Sequence, residues 1–370
     1  MTDDDRSSVN ARLDAARGAR IARALDNKTK PQGSLGQLER LAFRLAMAQR
    51  TEQPRVDRAR VLIFAADHGV AANGVSAYPA SVTAAMVRTA SDGGAAVTVL
   101  TRAVAEAWAD VEIIDVGVGS PLPPLPGVVT ARVADGTRDF LREPAMAPAE
   151  CETAMHFGAD AVRRASAAGA TVVALGEMGI SNTTSAAAIV SALTGLHVAD
   201  SVGRGTGIDD RTLAHKQCVV SDSLALHRAQ MTNASGQPDA FEVLRCVGGF
   251  ELAAIAGAAI AAADARIVVL VDGFIATAAV LAAAMIDARV LDVIVFAHRS
   301  AERGHSAAIA QFVALGLPEA FAQPLLQLDL RLGEGSGAAL ALPLLRAAAC
   351  MLTEMATFES ANVARATDLA

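Results

Sequence analysis

The chain reads as an α/β protein with a parallel sheet, on three observations. From residue 60 onward short β-branched or apolar runs recur, helical stretches separate them, and each run ends at an acid or histidine with glycine close by. The runs are Val61-Leu62-Ile63-Phe64 before Asp67-His68-Gly69, Val111-Glu112-Ile113-Ile114 before Asp115-Val116-Gly117, and Thr171-Val172-Val173-Ala174-Leu175 before Gly176-Glu177. Two more are Ile267-Val268-Val269-Leu270-Val271 before Asp272-Gly273, and Val293-Ile294-Val295-Phe296 before His298. Runs this apolar fit strands covered on both faces, and their alternation with helices predicts right-handed βαβ units.

In chain order, residues 1–10 read as a frayed tail. Their acidic start, Met1-Thr2-Asp3-Asp4-Asp5, has no apolar stretch behind it and is not a signal peptide. Residues 11–26 and 35–49 read as helices, the second burying Leu38, Leu41 and Leu45, with a Pro/Gly-rich loop from Lys28 to Gly36 between them. Helices are expected at 81–102, 151–168, 184–193 and 250–263. The longest apolar region, 252–286, is broken by Asp264, Arg266 and Asp272. It reads as helix, strand and helix, so no membrane span is expected. A last helix starts near Ser336 and runs through alanine-rich sequence.

With 370 residues the chain can bury a core as one large domain, alone or with a small satellite. Aromatics are only 4% of residues and the net charge is −7, both of which oppose a nucleic-acid platform. Cys151, Cys218, Cys246 and Cys350 form no close pair and read as small core thiols in a reducing compartment. The seven histidines make no ligand cluster. No metal and no cofactor are expected.

In open α/β sheets ligands sit beyond the carboxyl ends of the strands. Asp67, His68, Asp115, Glu177, Asp272 and His298 would gather there, some lining a site and some holding loops. Glu334 is the sharpest candidate. It stands in Arg331-Leu332-Gly333-Glu334-Gly335-Ser336-Gly337, where glycines let the backbone bend and a ligand approach. An acid beside a helix start is also what the helix dipole favours, so capping stays open. Gly176-Glu177-Met178-Gly179-Ile180-Ser181-Asn182-Thr183-Thr184-Ser185 reads as strand end, glycine turn and helix start. Such a start is suited to an anion or to plain capping. Glu177 at the same turn points to a ligand with phosphate and hydroxyls, such as a ribose phosphate. Val202-Gly203-Arg204-Gly205-Thr206-Gly207 matches no full nucleotide fingerprint, but Arg204 and Lys216 supply cations for a phosphate.

Taken together and in order, these segments resemble nicotinate-nucleotide:dimethylbenzimidazole phosphoribosyltransferases. The matching stretches are Lys30-Pro31-Gln32-Gly33-Ser34-Leu35-Gly36, Ala66-Asp67-His68-Gly69-Val70, Gly176-Glu177-Met178-Gly179 and Asn182-Thr183-Thr184. Val271-Asp272-Gly273-Phe274, Ser300-Ala301-Glu302 and the Arg331–Gly337 motif complete the set, from about residue 28 to the C-terminus. The resemblance implies a Rossmann-like sheet in a large domain at 59–344, and a small helical domain from residues 11–58 with 345–370. It implies a cytoplasmic homodimer that converts nicotinate mononucleotide and 5,6-dimethylbenzimidazole to α-ribazole 5'-phosphate and nicotinate, in assembly of the cobalamin nucleotide loop. By motif position Glu334 is the catalytic base. Glu177, Lys216 and Ser300 fall near the ribose phosphate, and Gly179, Asn182, Thr183, Gly205, Asp272 and Leu332 are further substrate contacts. Tyr78 and Met86 fall in the base pocket. They are either plain packing or a pocket reshaped for another benzimidazole, a purine or a phenolic base. A same-scaffold nucleotide binder without activity is the reading from another class.

Overall fold

The computed structural model describes residues 3–205 and 207–364, with side chains from Asp14 onward. Six parallel strands form one sheet: β1 Ala59–Ala66, β2 Ala109–Gly117, β3 Val128–Thr130, β4 Val172–Met178, β5 Val268–Val271 and β6 Ile294–Phe296. Their order across the sheet is β3-β2-β1-β4-β5-β6, so the winding direction reverses between β1 and β4. Five strands lie where the apolar runs are. The sixth, β3, is a three-residue edge strand that follows the Pro121–Pro126 segment and has no apolar run to announce it.

Helices cover both faces. Phe250–Ala265 crosses β1, β4 and β5 on one side and packs on Pro148–Ala167 and Phe274–Ile286. Ser336–Glu354 crosses the same strands on the other side, against Gln37–Ala48 and Ala96–Ala105. Phe250–Ala265 and Phe274–Ile286 are buried almost all round, as uniformly apolar, alanine-rich helices must be. The region 252–286 is therefore helix, strand, helix. Ser336–Glu354 is long and apolar enough to cross a membrane, but it is largely buried in this core.

Three local expectations change. The helix read from residue 11 runs Asp3–Asp26, so the expected tail is helical from Asp3. Residues 1–2 lie outside the described residues. The single helix expected at 81–102 is two, Ser81–Ser91 and Ala96–Ala105, parted at Asp92-Gly93-Gly94 with Gly93 at φ 80°. Of the cysteines, Cys151 and Cys246 are buried, with thiols that burial pushes up to about 12 and about 11, but Cys218 is exposed.

The segment after the first helix meets the segment after the last one. Lys28 Nζ donates to Met355 O at 2.7 Å, and Thr29 N–H donates to Ala356 O at 3.0 Å. Ser336–Glu354 runs unbroken through Pro343 and past residue 344.

Candidate active site

A cavity of about 690 Å³ opens beyond the carboxyl ends of β4, β5 and β6. Glu177, Gly179, Asn182, Thr183, Gly205, Asp272, Ser300, Leu332, Glu334, Tyr78 and Met86 all line it. Lys216 stands one layer back, 1% exposed, its Nζ donating to Thr183 Oγ1 at 2.8 Å.

The wall that carries Glu334 is built by backbone conformation. Gly333, Glu334 and Gly335 have φ of 79°, 61° and 75°, three consecutive left-handed residues. The outer two are free as glycines, whereas the glutamate costs about 1 kcal/mol or more and must be held from outside. Two buried acids hold it. Asp272, at the end of β5, accepts Gly335 N–H at 3.2 Å and Ala338 N–H at 2.8 Å, and Glu177, at the end of β4, accepts Glu334 N–H at 3.4 Å. The turn presses onto the sheet at Gly176, where a Cβ would lie 2.5 Å from Gly335 N. Ser336, read as the cap, is the first helical residue; its hydroxyl has no partner and Asp272 caps the helix instead.

This closeness of acids sets the electrostatics. Burial, then the charges of Asp272 and Glu251, push the Glu177 carboxyl up to about 8 against the contacts to Asn182 and Glu334 N–H. Burial and Asp272 raise Glu334, and burial raises Asp272 itself. A carboxyl raised in this way is a stronger base when ionised than one in water.

The opposite corner carries cations. Arg331 donates to Gly205 O at 3.0 Å, and burial lowers the Lys216 ammonium to about 8. Ser300 is fixed through its backbone: its N–H donates to His305 Nδ1 at 2.8 Å, so His305 Nε2 carries the ring proton toward Thr277 Oγ1 at 3.1 Å. Burial holds His305 down to about 3, which keeps that ring neutral. Arg204 does not join; it pairs with Asp210 and donates to Ile208 O within its own loop.

Of the six strand-end residues, Glu177, Asp272 and His298 reach the cavity. Asp115 instead accepts Gly117 and Val118 N–H and pairs with Arg132, Asp67 accepts Gly119 N–H at 2.7 Å, and His68 is enclosed against Glu251. Sequence reasoning missed the apolar wall of Val82, Met178, Ile180, Phe274 and Ile275. Those residues carry the same apolar signal as core.

A doubly wound sheet whose strand ends open onto a cavity with a raised carboxylate and Arg331 in its lining, and Lys216 behind it, has the architecture of an α/β enzyme acting on a small molecule. Comparison with known proteins gives the family. A phosphoribosyltransferase family model matches residues 11–363. The nicotinate-nucleotide–dimethylbenzimidazole phosphoribosyltransferase of Cupriavidus necator is 51% identical over 354 residues, covering 96% of this chain and 97% of that protein. The protein of the same name from Pseudomonas aeruginosa is 47% identical over 344 residues, covering 93% of each. The crystal structure of CobT from Thermus thermophilus superposes with a TM-score of 0.87 at 43% identity, over 95% of this chain and 99% of that one. The chain belongs to the nicotinate-nucleotide–dimethylbenzimidazole phosphoribosyltransferase family and is a pentosyl-transferring enzyme.

Proposed function

We propose that the chain transfers the phosphoribosyl group of nicotinate mononucleotide to 5,6-dimethylbenzimidazole, giving α-ribazole 5'-phosphate and nicotinate, with Glu334 as the base. The observation that carries this reading is the strained, externally held Glu334 turn, which lines one cavity together with Thr183, Gly205 and Arg331. Nicotinate leaves as a pyridine from a pyridinium, so the glycosidic electron pair returns to a ring nitrogen that is already cationic. One benzimidazole nitrogen attacks C1' from the opposite face, inverting β to α. The other ring N–H becomes acidic and gives its proton to Glu334. Positioned proton transfer of this kind contributes about 10²–10⁴-fold.

Lys216 and Arg331, behind and beside Thr183 and Gly205, supply the positive field for the 5'-phosphate, with Ser300 N–H pinned nearby. Asn182 and Glu177 face the ribose, and Tyr78, Met86 and Leu332 flank the base. Tyr78 and Met86, together with Met178, also favour a second reading in which the acceptor is another benzimidazole, a purine or a phenolic base. The enzyme acts as a cytoplasmic homodimer; of the small helical unit expected from residues 11–58 with 345–370, residues 365–370 lie outside the described residues, and its helix Ser336–Glu354 begins on the sheet. A monomeric sedimentation profile would remove the dimer.

The test is nicotinate release from nicotinate mononucleotide, followed by chromatography with and without each base. Release that requires 5,6-dimethylbenzimidazole, with a new α-riboside phosphate, supports the first reading. Preference for a purine or phenolic base supports the second, and tight nucleotide binding without release rejects both.

A further inference from the structure

Behind the cavity wall lies a polar cluster that the transfer chemistry leaves unused. His68 Nε2 is 2.7 Å from Glu251 Oε1 with both side chains 0% exposed, and His68 Nδ1 is 3.0 Å from Ser185 Oγ. A buried pair of this kind is weak evidence for stability, because desolvating two charges offsets most of their attraction. Its location is more informative. The imidazole packs beside Gly179, where a Cβ would meet Ala66 O at 2.6 Å, His68 Nε2 at 3.3 Å and Asn182 Nδ2 at 3.4 Å. Gly179 lines the cavity, and the helix carrying Ser185 begins at Asn182, whose amide holds Glu177. Between them Ser181 sits at φ 78° with no side-chain cap bond, so this turn also needs outside support.

Resting on the phosphoribosyl-transfer reading, we propose that His68, paired with Glu251, is a positioning residue that holds the 179–182 turn and the Asn182–Glu177 contact in the form that binds the nucleotide. The titratable groups facing His68 are Glu251, from Phe250–Ala265, and Asp67, beside it after β1; the helix Asn182–Thr194 presents Ser185 and the turn presents Gly179. Burial draws the imidazole pKa down, but Glu251 and Asp67 outweigh it and leave it raised. Nε2 meets the Glu251 carboxylate and Nδ1 meets the Ser185 hydroxyl, which can donate or accept, so both contacts hold the ring in place whether or not it is protonated.

The test is calorimetric titration of nicotinate mononucleotide into wild type, His68→Gln and Glu251→Gln, with steady-state kinetics alongside and circular dichroism as the check on folding. His68→Gln is expected to bind roughly tenfold more weakly, and KM for the nucleotide should rise more than kcat falls. Wild-type affinity in His68→Gln, or a fall in kcat with KM unchanged, would overturn the proposal. If His68→Gln does not fold, Glu251→Gln decides by the same split between KM and kcat, since it keeps a hydrogen bond to a neutral ring. Wild type that fails to bind the nucleotide rejects the functional reading; wild type that binds, with unchanged variants, rejects only this inference.

Discussion

Asp115, near the end of β2, and Glu177, near the end of β4, both lie in the last three residues of their strands and are both buried, yet their surroundings differ. Asp115 takes two backbone N–H groups on one oxygen, at 3.1 and 2.8 Å, and Arg132 on the other at 3.0 Å. Glu177 has the Asn182 amide, one long N–H contact at 3.4 Å, and two acids for neighbours. The supply of donors, more than position at the sheet edge, separates a carboxylate that pins a loop from one available for chemistry. Asp272 lies between the two cases: its oxygens are used by the backbone of the Glu334 turn, and its charge raises Glu334.

The largest effect expected from this contrast is at Glu334. Glu334→Gln should lower kcat by about 10²–10⁴-fold while both substrates still bind, measured by steady-state kinetics and calorimetry. Near-wild-type turnover would erase the distinction. Asp272→Asn comes next. It weakens two backbone contacts that hold the turn, and a displacement of about 1 Å there should cost roughly 10²-fold in kcat with a smaller change in nucleotide KM.

Glu177→Gln sharpens the contrast through stability. Burial raises the folded carboxyl from the ordinary glutamate range to about 8, so its neutral form is the one the fold favours. Its contribution is fully present below the unfolded pKa and is lost as pH rises through about 8. Thermal melts without substrate should therefore show Glu177→Gln gaining on wild type between about pH 5 and about pH 8, by on the order of 1–3 kcal/mol. A pH-independent difference would contradict the assigned desolvation. Asp115→Asn is the smallest: about 1–2 kcal/mol of stability by denaturant melt, from the weakened Arg132 and loop contacts, with KM and kcat unchanged.

The sheet was legible because buried parallel strands are nearly uniform apolar runs; β3 escaped, since Val128–Thr130 offers three residues behind a proline-rich segment. The Gly93 break escaped because apolar periodicity continues on both sides of it. In the site, glycine-flanked acids such as Glu334 are visible because turn chemistry leaves a signature in sequence. Whether Asp67 or Glu177 lines a cavity is not visible, because that depends on donors brought from Gly119 or Asn182 by the fold. Phe274 and Ile275 were hidden for a plainer reason, since an apolar wall and an apolar core use the same residues.

The most direct measurement of the central claim is the pH dependence of kcat/KM for base-dependent nicotinate release, in wild type and in Glu334→Gln. Glu334 must be ionised to take the proton, and burial with the Asp272 charge raises its pKa. The rate should therefore climb with pH along a limb displaced above the ordinary glutamate range, and that limb should vanish in Glu334→Gln. The same limb persisting in Glu334→Gln would place the base elsewhere.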